Sequence, residues 1–237
     1  MVDLPFVDFH CHFPSPNAIY CTAKPEAWAE AVAETRLEAV AATATQTKAE
    51  SQHPLLCCQG LLPQYWTFQR QEELLTNLQN SNIQLGEVGL DKRFSNLLSL
   101  QEQEQSLLAM LQFAKNHNKI VTIHSVQATE RTINILKDVK FQPWKVLWHG
   151  FTGSLETAKV LFKMGVFVSV GIRYTGDLKE LALAHPRFVL ETDYEGGDQT
   201  EYNALLEAHY ERCAQNLGWA TSQLKEHCYG QAQTFTN

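Results

Sequence analysis

Two histidines flank a single residue in His10-Cys11-His12. On a strand, side chains at i and i+2 share a face, so both imidazoles could reach one ion. Glu87, His124, His149 and Asp193 follow along the chain, each in or just after a short apolar run. Imidazole suits zinc and other transition metals, while carboxylates are harder donors that can bridge two cations. Four histidines and two carboxylates suffice for two ions. A binuclear centre would lower the pKa of a shared water and clamp the attacking and leaving oxygens of a bond undergoing hydrolysis. Taken singly, each of these residues has an ordinary explanation in packing or a turn. Taken together they do not, because His53, His117, His185, His209 and His227 fall instead on helical or loop stretches.

Residues so far apart in the chain need a scaffold that gathers them. Apolar strand candidates centre near residues 6, 40, 58, 86, 122, 147, 168 and 189. They read as near-continuous apolar runs, the pattern of parallel strands buried on both faces. Each of the intervening connections can hold a helix. The clearest spans Leu100–His117, with Leu100, Leu107, Leu108, Leu111 and Ala114 as its apolar stripe. Ala27–Thr35 reads as an earlier helix, and Ser154 as the cap of one that Gly165 ends. Terminal helices are expected at Glu201–Leu217 and Thr221–Tyr229. The pattern predicts a single α/β domain over residues 1–237: a (β/α)8 barrel of the TIM type with extra C-terminal helices, an open doubly wound sheet being the alternative. In such a barrel the metal site would lie at the C-terminal face of the strands.

Composition narrows the setting. The chain has 237 residues, 44% of them hydrophobic, enough for a substantial core. Its net charge of −7 disfavours sequence-blind coating of a nucleic acid duplex, although a local site could still grip one. No apolar run is long enough to span a membrane. The first residues, Met1 to Phe6, carry neither a basic leader nor an apolar signal core, which predicts a cytoplasmic protein. The six cysteines form no CxxC pair and are read as thiols, with Cys11 pointing away from the two histidines beside it.

The blocks Phe6-Val-Asp-Phe-His-Cys-His12, Gly86-Glu-Val-Gly-Leu-Asp91, Ile123-His124, His149-Gly-Phe-Thr-Gly-Ser154 and Glu191-Thr-Asp193 occur in this order. Together they resemble the TatD family of metal-dependent deoxyribonucleases, a branch of the amidohydrolase-like barrels. The resemblance implies that His10, His12 and Asp193 hold a first metal, that His124 and His149 hold a second, and that Glu87 bridges both. It implies two divalent ions (Zn2+, Mg2+ or Mn2+), with Asp193 orienting the attacking water or taking its proton, and it makes a monomer plausible. The chain departs from the family at two loops. Gly60-Leu-Leu-Pro-Gln64 replaces a histidine-bearing segment, and Tyr194-Glu-Gly-Gly197 stands where a proline and a longer loop with arginine and asparagine usually follow.

Further candidates sit nearby. Lys92, Arg93 and Arg173 follow strands and could meet a substrate phosphate. Asp91 could support Glu87 or a loop, and Glu191 could orient a ligand. Trp66 and Tyr194 could line a pocket, while Trp148 should pack outward. The glycine-rich turn at 150–153 could bind phosphate or simply cap a helix. The expected function is a metal-dependent phosphodiesterase acting on DNA or a small phosphoester. The altered loops keep open a hydrolase of small esters, amides or lactones, and a non-catalytic binding protein is the alternative from another class.

Overall fold

The computed structural model describes residues 4–25, 28, 54–140 and 145–236. Two compact units are found, one formed by Pro14–Phe141 and the other by Met1–Phe13 together with Gln142–Asn237.

The Pro14–Phe141 unit carries strands β2 (Ala18–Thr22), β3 (Leu56–Leu61), β4 (Gln84–Asp91) and β5 (Val121–Val126). All three neighbouring pairs are parallel, with Ile19 opposite Leu56, Cys58 opposite Gln84 and Val88 opposite Ile123. Three helices follow: α1 (Phe68–Gln79), α2 (Leu100–Asn116) and α3 (Thr129–Val139). Helix α2 begins where the sequence dictates. Ser99 accepts from the Glu102 amide, and the Glu102 side chain accepts from the Ser99 amide, which satisfies two otherwise orphaned donors. Its buried stripe is Gln103, Ser106, Leu107, Met110, Leu111 and Ala114. Leu100 and Leu108 are only half-buried, so the expected stripe is rotated by about one residue. Gln103 takes a core position because its amide is fully used: Nε2 donates to the Asp91 and Leu98 carbonyls, and Oε1 accepts from the Asp91 amide.

The other unit carries β1 (Asp8–Cys11), β6 (Val146–Trp148), β7 (Phe167–Val170) and β8 (Phe188–Leu190). Strand β7 pairs in parallel with β6 and with β8. The helices are α4 (Leu155–Lys163), α5 (Leu178–Ala184), α6 (Gln199–Leu217) and α7 (Thr221–Thr236). Ser154 caps α4 by accepting from the Thr157 amide, and Gly165 follows it with φ +73°, as expected of this helix. The extra C-terminal helices are present, and α7 runs seven residues beyond the expected Tyr229. They fasten the start of the chain: the Tyr210 hydroxyl donates to the Val7 carbonyl at 2.7 Å, and Phe235 packs on Phe9 and Phe167 at 6.2 and 5.1 Å.

Within each unit the paired strands follow one another in the sheet as they do in the chain, β2 to β5 in one and β6 to β8 in the other. One element differs from expectation. The second strand is Ala18–Thr22, while the run expected near residue 40 and nearly all of the Ala27–Thr35 helix lie outside the described residues. Pro14, Pro16 and Asn17 mark a turn in the sequence, and Asn17 does adopt φ +61°. The β-branched and aromatic content of Ala-Ile-Tyr-Cys-Thr was the signal for a strand directly behind it. All six cysteines are buried thiols, and burial pushes the Cys11 thiol well above its usual pKa.

Candidate metal centre

Within the Met1–Phe13 and Gln142–Asn237 unit, four predicted ligands sit at strand ends. His10 lies in β1, His12 just after it, His149 directly after β6, and Asp193 three residues beyond β8. The Nε2 atoms of His10 and His12 approach the same Asp193 oxygen, Oδ1, at 3.6 and 3.5 Å. Donors held at about 2.0–2.1 Å around a tetrahedral ion lie about 3.4 Å from one another, so this spacing fits a shared cation. The His10 and His149 rings are 4.1 Å apart, and ligand atoms of His10, His149 and Asp193 lie within 4.8 Å of one another. His10 is fully buried, whereas the Asp193 side chain keeps 26% exposure, so a water or substrate can reach it.

Asp193 occupies left-handed backbone space at φ +54°, which aspartate tolerates better than most residues. Its neighbours hold it there. The Asp193 amide donates to the His10 carbonyl at 3.0 Å, and the His12 amide donates to the Tyr194 carbonyl at 2.8 Å. Beneath this turn lies Asp8, completely buried. Asp8 Oδ1 accepts from the amides of His10 at 3.1 Å and Thr192 at 3.0 Å, and Oδ2 accepts from the Thr192 hydroxyl at 2.5 Å. Burial raises the Asp8 carboxyl to about 7, against the lowering effect of these hydrogen bonds. Sequence reasoning did not single out Asp8. Its signal was the alternation itself, since a carboxylate two residues before His10 shares the face of both histidines.

In the Pro14–Phe141 unit, Glu87 and His124 meet directly. His124 Nδ1 lies 2.5 Å from Glu87 Oε1, and its Nε2 lies 3.2 Å from Asp91 Oδ2. Asp91 also takes a forked pair from Arg93, with Nε and Nη2 at 2.9 and 2.5 Å. Burial opposes ionisation of Asp91, but the hydrogen bonds from His124 and Arg93 prevail and hold its carboxyl well below the usual range. A cation-binding histidine whose second nitrogen is held by a carboxylate is the arrangement that fixes ring orientation and raises basicity. Glycines make this approach possible: a Cβ at Gly89 would stand 1.7 Å from the His124 carbonyl oxygen, and one at Gly60 2.1 Å from that of Glu87. His124 sits within β5 rather than closing it, with Ser125 and Val126 following.

The remaining candidates divide cleanly. Arg173 is 87% exposed and donates from Nη2 to Asp193 Oδ2 at 3.1 Å. Lys92 is exposed on a short turn after β4, and its neighbour Arg93 is engaged by Asp91. Glu191 stands 3.6 Å from His149 Nδ1, beyond hydrogen-bond range, and instead accepts from the Gly150 amide at 2.7 Å and from the Ser169 hydroxyl. The turn at 150–153 therefore spends the Gly150 amide on Glu191 and the Phe151 amide on the Ser169 carbonyl, so it serves as a helix entry. Trp148 is buried as expected, and Trp66 donates to Gln71. Tyr194 turns away, packing on Phe13 and Tyr202, with its hydroxyl donating to Glu201 at 2.8 Å and receiving the Asp198 amide at 3.2 Å.

The parallel strands of each unit, with histidines and carboxylates at their ends, fit the (β/α)8 barrel expected from the sequence. The family model described as TatD related DNase matches residues 7–237, and the chain belongs to this family. It is 34% identical over 127 residues to deoxyribonuclease TATDN3 of Homo sapiens, covering 51% of this chain and 46% of that protein. It is 32% identical over 117 residues to YcfH, an uncharacterized metal-dependent hydrolase of Escherichia coli strain K12, covering 47% of this chain and 44% of that protein. The chain thus spans about half the length of these curated relatives. Among solved structures, the TatD homologue YjjV from Escherichia coli K12 shares the fold with a TM-score of 0.74 at 21% identity, covering 97% of each chain. No helix among the described residues is long and apolar enough to cross a membrane.

Proposed function

We propose that this protein is a metal-dependent phosphodiesterase that cleaves DNA. His10, His12 and Asp193 are assigned to one divalent ion, His124 and His149 to a second, and Glu87 to both. The observation that carries this reading is the convergence of the His10 and His12 Nε2 atoms on one Asp193 oxygen at 3.5–3.6 Å. Bound divalent ions (Zn2+, Mg2+ or Mn2+) would supply an acidified water and offset phosphate charge. Asp193 orients that water and receives its proton, His124 is aligned by Asp91, and the exposed Arg173 and Lys92 meet the substrate phosphate. Similarity to a deoxyribonuclease favours DNA as the polymer. We read the chain as one functional domain, monomeric and cytoplasmic.

The test is direct. Protein loaded with each of the three metals, with its metal content measured, is incubated with an end-labelled single-stranded oligonucleotide. Shortening of the label supports the proposal, and intact oligonucleotide with metal demonstrably bound overturns it. A second reading, a hydrolase of small neutral esters, amides or lactones, draws on the segment after Asp193. There Tyr194 folds the loop tightly onto Asp198 and Glu201, leaving an acidic rim that disfavours a polyanion. A panel of neutral esters and lactones assayed beside the oligonucleotide separates the two. Asp193→Asn tests the non-catalytic alternative, because a binding protein would lose little function.

A further inference from the structure

We propose that Asp8 and Thr192 act together as a positioning strut for Asp193, aiming its carboxylate at His10 and His12. The inference rests on the proposed role of Asp193 and extends it to two residues with no assigned part in the chemistry. The geometry is continuous. Asp8 Oδ1 receives two amides, those of His10 and Thr192, so one carboxylate oxygen ties the β1 histidine to the turn after β8. Asp8 Oδ2 receives the Thr192 hydroxyl, and that hydroxyl in turn accepts from the Tyr194 amide at 3.2 Å. Thr192 is thus held on its amide and hydroxyl, and it hands the constraint to Tyr194. Asp193 lies between these two anchored residues, at φ +54°.

Left-handed backbone is unfavourable for a residue bearing a Cβ, though less so for aspartate than for most. Without the two anchors, the Asp193 peptide would relax toward ordinary extended or helical space and swing the carboxylate off the imidazoles. Asp8 itself touches no substrate atom: it is completely buried, and its hydrogen bonds run to backbone and to Thr192. Its polar carboxyl group is enclosed in an apolar strand, an arrangement that packing alone does not require. A valine of similar shape would fill the same space at less desolvation cost. Partners that orient metal-binding residues are worth about 10–100-fold in affinity or activity.

The experiment compares Thr192→Val, Thr192→Ser and Asp8→Asn with the wild type. The readouts are zinc affinity by chelator competition, kcat and KM on the oligonucleotide, and Tm. Thr192→Val keeps the shape and removes the hydroxyl, and it should weaken zinc binding and lower kcat about tenfold or more with KM changed less than about threefold. Thr192→Ser restores the hydroxyl and should recover zinc affinity to within about threefold, a rescue that a purely packing role would not give. Asp8→Asn keeps one acceptor oxygen and should fall between them, which also keeps the test decisive if Thr192→Val fails to fold. Wild-type zinc affinity retained in both Thr192→Val and Asp8→Asn overturns the strut. So does equal loss in the serine and valine variants. If the wild type binds zinc but cleaves nothing, the phosphodiesterase reading fails while the zinc affinities still decide this one.

Discussion

His185 offers a quantitative check on the packing beneath β7. It is completely buried at the C-terminal end of α5, where its Nε2 donates to the Val166 carbonyl at 2.7 Å and Phe162 stacks edge-on at 5.4 Å. Burial lowers its pKa to about 4, with nearby Arg187 adding to the shift and the Val166 hydrogen bond opposing it. An exposed histidine in the unfolded chain titrates near 6.5. Between these values the unfolded state binds more protons, so stability from this residue is complete above about pH 6.5 and drains away as pH falls toward 4. The penalty is about 0.2 kcal/mol at pH 7 and about 2 kcal/mol at pH 5, a loss of roughly 1.8 kcal/mol. Replacing it with glutamine, whose amide can still donate to Val166, removes the titration and leaves the hydrogen bond. Other groups also titrate in this range, and Asp8 with its raised pKa works in the opposite direction. The wild-type slope alone is therefore uninformative. The difference between wild type and His185→Gln, measured by urea denaturation at both pH values, isolates the residue. The stability gap should shift by close to 2 kcal/mol in favour of the variant on going from pH 7 to pH 5. A gap constant to within about 0.5 kcal/mol would refute the account of a neutral, desolvated imidazole.

The remaining predictions concern the metal centre. Asp193→Asn should lower kcat on the oligonucleotide by about 100-fold or more while leaving Tm within a few degrees, as read by steady-state kinetics and calorimetry. Asp91→Asn, which weakens the hold on His124 Nε2 and leaves Arg93 without its forked partner, should reduce metal occupancy about tenfold at limiting metal, measured by elemental analysis. Arg173→Gln should raise KM for an anionic phosphodiester about tenfold and leave that of a neutral ester unchanged, because one charge-assisted contact is lost only with the anion. Gly89→Ala places a Cβ against the His124 carbonyl, and soluble expression with native circular dichroism would contradict the close approach described for β4 and β5.

Much of this architecture was legible in the chain because buried parallel strands write themselves as apolar runs. Seven of the eight expected strands lie where hydrophobicity put them, within a few residues. The eighth, near residue 40, lies outside the described residues, and the strand that was missed, Ala18–Thr22, follows two prolines that read as loop. At the site, residue type and strand position were enough to pick out His10, His12, His149 and Asp193, which gather in one unit, and Glu87 with His124, which meet in the other. What the sequence hid was the supporting layer. Asp8 looked like one polar letter in a hydrophobic word, and its meaning depends on Thr192, a partner 184 positions away. Gln103 likewise stood on the buried face of α2 without an apolar signal, because hydrogen bonds rather than hydrophobicity place it there.

The pairing of β1 with the turn after β8 also sets an order of events during synthesis. His10 and His12 leave the ribosome well before the carboxylate they converge on, which is 183 residues behind His10. At about 5–20 residues per second, the interval is on the order of 10–40 s. Throughout it the first strand lacks the partners that later bury it, among them Thr192 and the Tyr210 hydroxyl on Val7. Contacts so remote in sequence form late, because the intervening loop must be closed before they repay its entropy. The nascent chain therefore carries the two imidazoles of His10 and His12 through a prolonged, half-assembled state without the Asp193 carboxylate beside them. On the proposed assignment of these ligands, selective retention of metal would begin only once Asp193 has joined the two histidines.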